Sequence, residues 1–166
     1  MEKTEIRIVS GAQTGVDQGA LHAAIDLGLA WGGWVPKGWR TENGTVAPMF
    51  RPGMREHASS NYLGRTRRNV VDSHATLIVT NSYPITGGTL KTRIFCQELQ
   101  RPHFVISLGD ADAEERALAW LSGFVAQDQR RPFVLNVAGP RESKSRGIQK
   151  KTRRFVGKIV NALLSK

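Results

Sequence analysis

The chain is poor in the residues that announce chemistry. Cys96 is the only cysteine, so no internal disulfide can form, as expected of a reducing compartment. The four histidines, His22, His57, His74 and His103, have no metal-ligand spacing, and no H-E-x-x-H pattern occurs. No protein-ligated metal is therefore expected. No G-x-S-x-G turn presents a serine, and Cys96 falls inside a helical pattern without an obvious base. No catalytic acid, base or nucleophile declares itself. No apolar stretch approaches the ~20 residues needed to cross a bilayer, so no membrane role is expected. Residues 1–7 are charged and lead straight into the first apolar run without a secretory h-region, which points to a cytoplasmic protein.

Acidic residues are also scarce. There are 14 Asp and Glu against 24 Lys and Arg, a net charge of +10. Between residues 141 and 158 lie Arg141, Lys144, Arg146, Lys150, Lys151, Arg153, Arg154 and Lys158 against one acid, Glu142. A second cluster is Arg65, Arg67 and Arg68. Such charge attracts a polyanion or an anionic small molecule, or solvates a helix face. The solvated face is the reading for residues 150–158. Arg141 and Lys144 read as ligand contacts because they sit in a glycine-bearing turn. No RNA- or DNA-binding motif accompanies the charge, so nucleic acid is not an expected partner.

What the chain does have is alternation. Residues 6–10, 29–35, 75–80, 104–108 and 133–137 read as five strands. Residues 17–27, 62–71, 89–99, 112–126 and 147–164 read as helices. Several strands are nearly continuous apolar runs, the mark of strands covered on both faces. The pattern implies one α/β domain over residues 1–166, a Rossmann-like, three-layer, doubly wound parallel sheet. Residues 36–60, rich in Gly, Pro and charge, read as a lid or binding loop.

Three glycine-rich turns each follow an apolar strand and precede a helix: Ser10-Gly11-Ala12-Gln13-Thr14-Gly15, Thr86-Gly87-Gly88-Thr89, and Ala138-Gly139-Pro140-Arg141-Glu142-Ser143. Strand, small-residue turn and helix aim backbone N–H groups and a helix N-terminus at an anion. In a parallel sheet all three would lie at the carboxyl ends of the strands, where ligands bind. The expectation is one shared pocket for a phosphorylated small molecule. The first turn lacks the glycine spacing of a dinucleotide fingerprint and the lysine of a P-loop. It suits an anion, through Gly11, Gln13, Thr14 and Gly15, or a tight turn capped by Asp17. The second turn is the stronger signal, with Thr89 placed to cap and Thr92 one turn on. Tyr83 and Pro84, just before it, suit a wall for a flat ring. Trp31, Trp34 and Trp39 cluster with Lys37. Trp31 reads as core, Trp34 as more open, and Lys37 as a phosphate or carboxylate contact. Arg65, Thr66 and Asn69 share a helical face with Asp72 nearby; Asn69 and Asp72 equally suit a cap or tether.

Taken together, Ser-Gly-Ala-Gln-Thr-Gly-Val-Asp, Gly-Gly-Trp-Val-Pro-Lys-Gly, Arg-Thr-x-x-Asn-Val-x-Asp-Ser, Thr-Gly-Gly-Thr and Asn-Val-Ala-Gly-Pro-Arg-Glu-Ser resemble the molybdenum cofactor carrier family. This is a circularly permuted, YpsA-like branch of the SLOG superfamily, related to the lysine-decarboxylase-like LOG proteins. The resemblance implies a Rossmann-like sheet, a homodimer or homotetramer, and a pocket for a phosphorylated, nucleotide-like ligand. Molybdenum cofactor, a pterin with one phosphate, is the implied cargo. The family motifs fall on Gly11, Gln13, Thr14, Gly15, Lys37, Arg65, Thr66, Asn69, Gly87, Gly88, Thr89, Thr92, Gly139, Arg141, Glu142 and Ser143. LOG phosphoribohydrolases carry a glutamate after their glycine turn. Here Lys91, Thr92 and Arg93 stand in that region, which weighs against hydrolysis. The alternative is a nucleotide-processing enzyme in which Glu142 or Asp17 replaces that glutamate, or a sensor of a nucleotide or ADP-ribose-type ligand.

Overall fold

In the computed structural model, which describes residues 1–166, the alternation resolves into a parallel sheet with helices on both faces. In chain order the elements are β1 (Ile6–Val9), α1 (Val16–Leu27), β2 (Ala30–Val35), β3 (Arg40–Thr41), β4 (Gly44–Thr45), β5 (Met54–Glu56) and α2 (Tyr62–Val71). They continue with β6 (Ala75–Thr80), α3 (Gly87–Glu98), β7 (His103–Ser107), α4 (Ala113–Gln127), β8 (Phe133–Ala138) and α5 (Ile148–Leu164). Six strands form the sheet in the order β5-β2-β1-β8-β6-β7, all parallel. The Rossmann-like reading therefore holds.

The main sheet has one strand more than the sequence reading, and a separate two-stranded pair adds two further short strands. Residues 36–60 hold the antiparallel pair β3–β4, a 3-10 turn over Pro48–Gly53, and β5, which adds a sixth strand beside β2. Val46 and Phe50 anchor the segment in a small core with Ala12, Leu21, Val35 and Met54. Val46, Phe50 and Met54 stand four residues apart, but Pro48 and Pro52 between them break any α-helix, so only the packed structure reveals the anchoring.

The principal core lies between the sheet and α1, α4 and α5. β6 is buried along its whole length, as its unbroken apolar run required. α5 buries Ile148, Phe155, Val156, Ile159, Val160 and Leu163 along one stripe, each large side chain contributing about 1.5–3 kcal/mol. Lys150, Lys151, Arg154 and Lys158 point to solvent on the other face. α1 stops at Gly28, whose left-handed φ of 69° lets its N–H reach the Ala24 and Ile25 carbonyls.

α1 and α5 meet at Gly19. A Cβ there would stand 2.5 Å from the Gln149 carbonyl oxygen and 2.9 Å from Thr152 Cβ. Gly19→Ala gains helix propensity but must push the two helices apart. The expected balance is a loss of about 1–2 kcal/mol, read as a lower urea midpoint at unchanged m-value. A gain in stability would show that the contact yields freely.

Candidate functional site

The chain winds outward from β1 through β2 to β5, then from β6 to β7, and returns to place β8 between β1 and β6. The three glycine turns therefore leave three adjacent strands, at the carboxyl-end crevice where connections part to opposite faces. A cavity of about 260 Å³ lies there. Of its 24 lining residues only four are hydrophobic, so it suits a polar guest. The volume falls just below the ~300–1,000 Å³ of common small-molecule sites, enough for about one heterocycle with a phosphate. Gly139 makes the close approach possible, since a Cβ there would stand 2.2 Å from the Val79 carbonyl oxygen.

Ten of the residues predicted from sequence line this cavity: Gly11, Gln13, Arg65, Thr66, Asn69, Gly88, Thr89, Thr92, Gly139 and Arg141. Gly87 begins the helix beside it. Thr14, Gly15, Glu142 and Ser143 are not among the lining residues, and Lys37 is exposed in a turn tied to Ser59, away from the cavity. Trp34 is also outside. Its indole N–H donates to Asp72 at 2.8 Å, with Arg68 held 3.1 Å from the same carboxylate. Tyr83 lies outside too, its hydroxyl 3.2 Å from Asp110 and 3.1 Å from the Ser107 N–H. Pro84 does line the cavity, and the aromatic ring there is Tyr62.

The first turn departs from the anion-cradle expectation, because the chain satisfies its own amides. Ala12 N–H donates to Ser10 Oγ at 3.3 Å, Gln13 N–H to Asp17 at 3.2 Å and Thr14 N–H to Gln13 Oε1 at 3.1 Å. Gly15 N–H donates to Gln149 Oε1 at 2.9 Å and Val16 N–H to the Pro140 carbonyl at 3.2 Å. The tight turn held by Asp17 is the reading that matches. Glu142 is likewise committed. Its carboxylate accepts from Gly147 N–H at 2.6 Å and Gln149 N–H at 3.0 Å, capping α5. It does not line the cavity. Asn69 clamps the β2 backbone, accepting from Trp34 N–H at 2.8 Å and donating to its carbonyl at 3.2 Å.

The second turn is different. α3 begins at Gly87, two residues earlier than the sequence reading, with Thr86 at the cap position and no side chain bonded to its first turn. The N–H groups of Gly87, Gly88 and Thr89 have no partner within the protein. They carry the positive end of the helix dipole into the cavity. Thr92 turns its hydroxyl to the Gly88 carbonyl at 3.1 Å. The Lys144 ammonium lies beside Gly87, 3.3 Å from where a Cβ would be.

The floor is a buried charge pair. Arg65 is 6% exposed, donates from Nη1 to the Gly11 carbonyl and from Nε to Thr66 Oγ1 at 3.2 Å, and lies 5.3 Å over the Tyr62 ring. Its Nη2 has no partner within the protein. Burial lowers the Arg65 pKa, against the pull of Asp17. Burial in turn pushes the Asp17 carboxyl up to about 6, although Arg65 and the Gln13 and Gly11 amides oppose it.

A family model described as the circularly permutated YpsA SLOG family matches residues 8–160. The chain belongs to that family. A crystal structure of a "Putative molybdenum carrier protein" from Syntrophus aciditrophicus SB is 34% identical, covers 98% of both chains and superposes with a TM-score of 0.82. No curated protein matches the chain.

For this SLOG chain, sequence reasoning missed Glu42. It lies between β3 and β4, and its carboxylate accepts from the Thr14 hydroxyl, from Ser143 N–H at 3.1 Å and from the Ser143 hydroxyl, with Arg141 Nε at 3.3 Å. Burial raises its pKa, but the bonds from Ser143 and Thr14 and the Arg141 charge outweigh that, and it ionises below the ordinary glutamate range. A lone glutamate in an aperiodic segment gave no signal. Tyr62 was legible only as a helix residue, and Asn136, buried at the cavity on β8, as part of an apolar strand.

Proposed function

We propose that this SLOG protein binds a heterocycle carrying one phosphate, and that molybdenum cofactor is its cargo. The observation that carries the reading is the open first turn of α3: the amides of Gly87, Gly88 and Thr89 are unpartnered, and Gly88 and Thr89 line the cavity together with Arg65 and Lys144. Amides at a helix N-terminus with two cations beside them are a phosphate site. Tyr62 and Pro84 offer surfaces for a flat ring, and Gln13 Nε2 and Thr89 Oγ1 are free to bond its edges. The Syntrophus relative, named "Putative molybdenum carrier protein", supports the choice of cargo. A homodimer or homotetramer and a cytoplasmic location belong to the same proposal.

The test is anaerobic titration calorimetry with molybdopterin. One site per chain is expected, and Lys144→Ala should weaken binding about tenfold, as the loss of one charge-assisted bond implies. Lys158→Ala, at a residue of α5 paired with Glu114 of α4, should not. No affinity for molybdopterin, or for phosphorylated nucleosides, overturns the reading.

One observation favours hydrolysis instead: Asp17 lines the cavity and titrates near pH 6, where a carboxyl can transfer protons. Release of free base from a nucleoside monophosphate, lost in Asp17→Asn, would establish it. No turnover across a nucleotide panel leaves the binding reading standing.

A further inference from the structure

The Glu42 carboxylate occupies a set of donors suited to an oxyanion. Two hydroxyls and one amide, from Thr14 and Ser143, converge on it, with the Arg141 guanidinium at 3.3 Å. These donors come from the turns after β1 and β8, the same turns that frame the cavity. The carboxylate comes from elsewhere in the chain, the β3–β4 connection. Gln13 holds that connection in place, its Oε1 accepting from the Glu42 N–H at 2.9 Å. The Glu42 side chain is only 14% exposed. Arg141 and Gln13 belong both to the cavity wall and to the surroundings of Glu42, so the two sites share a partition.

We propose that Glu42 is a specificity-determining residue. It fills a second oxyanion position beside the cavity and so restricts the site to ligands with a single phosphate, against nucleoside diphosphates and other ligands bearing a second one. The inference rests on the phosphate site proposed at α3. A second phosphate would have to displace a carboxylate already held by two hydroxyls, an amide and an arginine, or lie against its charge. Like charges juxtaposed in this way are how binding sites reject the wrong partner.

The test is calorimetric titration with inorganic phosphate and pyrophosphate against the wild type, Glu42→Gln and the Glu42→Gln/Arg141→Gln pair. In the wild type, pyrophosphate should bind no tighter than phosphate. Glu42→Gln should raise the pyrophosphate-to-phosphate affinity ratio about tenfold or more, and adding Arg141→Gln should return it toward the wild-type value. A wild type that binds pyrophosphate more than about tenfold tighter than phosphate overturns the role of Glu42, whether or not the variants fold. An unchanged ratio in a folded Glu42→Gln protein overturns it too. If the wild type binds neither ion, the α3 phosphate site falls and this inference with it; phosphate binding with an unaltered ratio removes the Glu42 role alone.

Discussion

Arg65→Ala is expected to lower stability by about 3–5 kcal/mol and to abolish binding of phosphate-bearing ligands. The guanidinium lines the cavity and is attracted by the Asp17 carboxylate, which is also buried at 8% exposure. Gly11 lies between the two: its carbonyl accepts from Arg65, and its amide favours the ionised form of Asp17. Truncation leaves that carboxyl without its counter-charge, the Gly11 carbonyl without a donor, and a void against Tyr62. At about 2–4 °C per kcal/mol for a chain of this size, the melting temperature should fall by roughly 6–20 °C. Arg65→Lys keeps the charge but cannot make both directed bonds and the ring contact, so it should fall between. Placing Arg65→Ala in an Asp17→Asn background should recover part of the loss, because no buried carboxylate then stands unpaired. Thermal melts of the four proteins and phosphate titrations measure all of this. A loss below about 1 kcal/mol would show that the pair is not coupled.

The layered fold was legible because its signals are local and redundant. The apolar runs of β6 and β8 show burial on both faces, and the α5 stripe needs no tertiary knowledge to recognise. β5 was not legible. Its three residues, Met54-Arg55-Glu56, join the sheet only because Val46 and Phe50 fasten the preceding segment to the Ala12, Leu21 and Val35 side chains. The start of α3 was displaced for a related reason. Two glycines read as a turn, yet the free amides they leave are the open end of the helix.

The site was legible as a place more than as a set of roles. Three turns were expected to meet and do, because β8 returns between β1 and β6. Which turn is open to a ligand depends on local partners, Ser10, Gln13 and Asp17 for the first turn, and also on partners far off in sequence. Gly15 is satisfied by Gln149, and Thr14 and Ser143 by Glu42, separations of 134, 28 and 101 residues. Composition and spacing cannot register a carboxylate arriving from another segment. Glu142 caps α5 through bonds only five and seven residues away, and Trp34 and Lys37 lie outside a cavity that Tyr62 and Lys144 line.

The Asp17 carboxyl makes a separate, signed prediction. It titrates near pH 6 in the folded protein and near 3.9 in an unfolded chain. Between those values the folded state holds a proton that the unfolded chain has released. Its contribution is therefore complete below about pH 4 and lost as pH rises through about 6, a span of roughly 3 kcal/mol. Asp128 beside Arg130, Asp26 beside Arg153, and Glu42 run the other way, since each ionises more readily when folded and adds stability as pH rises through its own lower window. The raw profile mixes these signs; the difference between wild type and Asp17→Asn isolates one. From pH 4 to pH 7 the variant should gain about 2 kcal/mol on the wild type in urea titrations, since its amide oxygen can still accept from Gln13 N–H and does not titrate. A flat difference would mean that the carboxyl titrates as in the unfolded chain. Arg65 stays protonated throughout, so the same proton sets the charge under the cavity: net positive beneath a ligand phosphate below pH 6, and neutral above it.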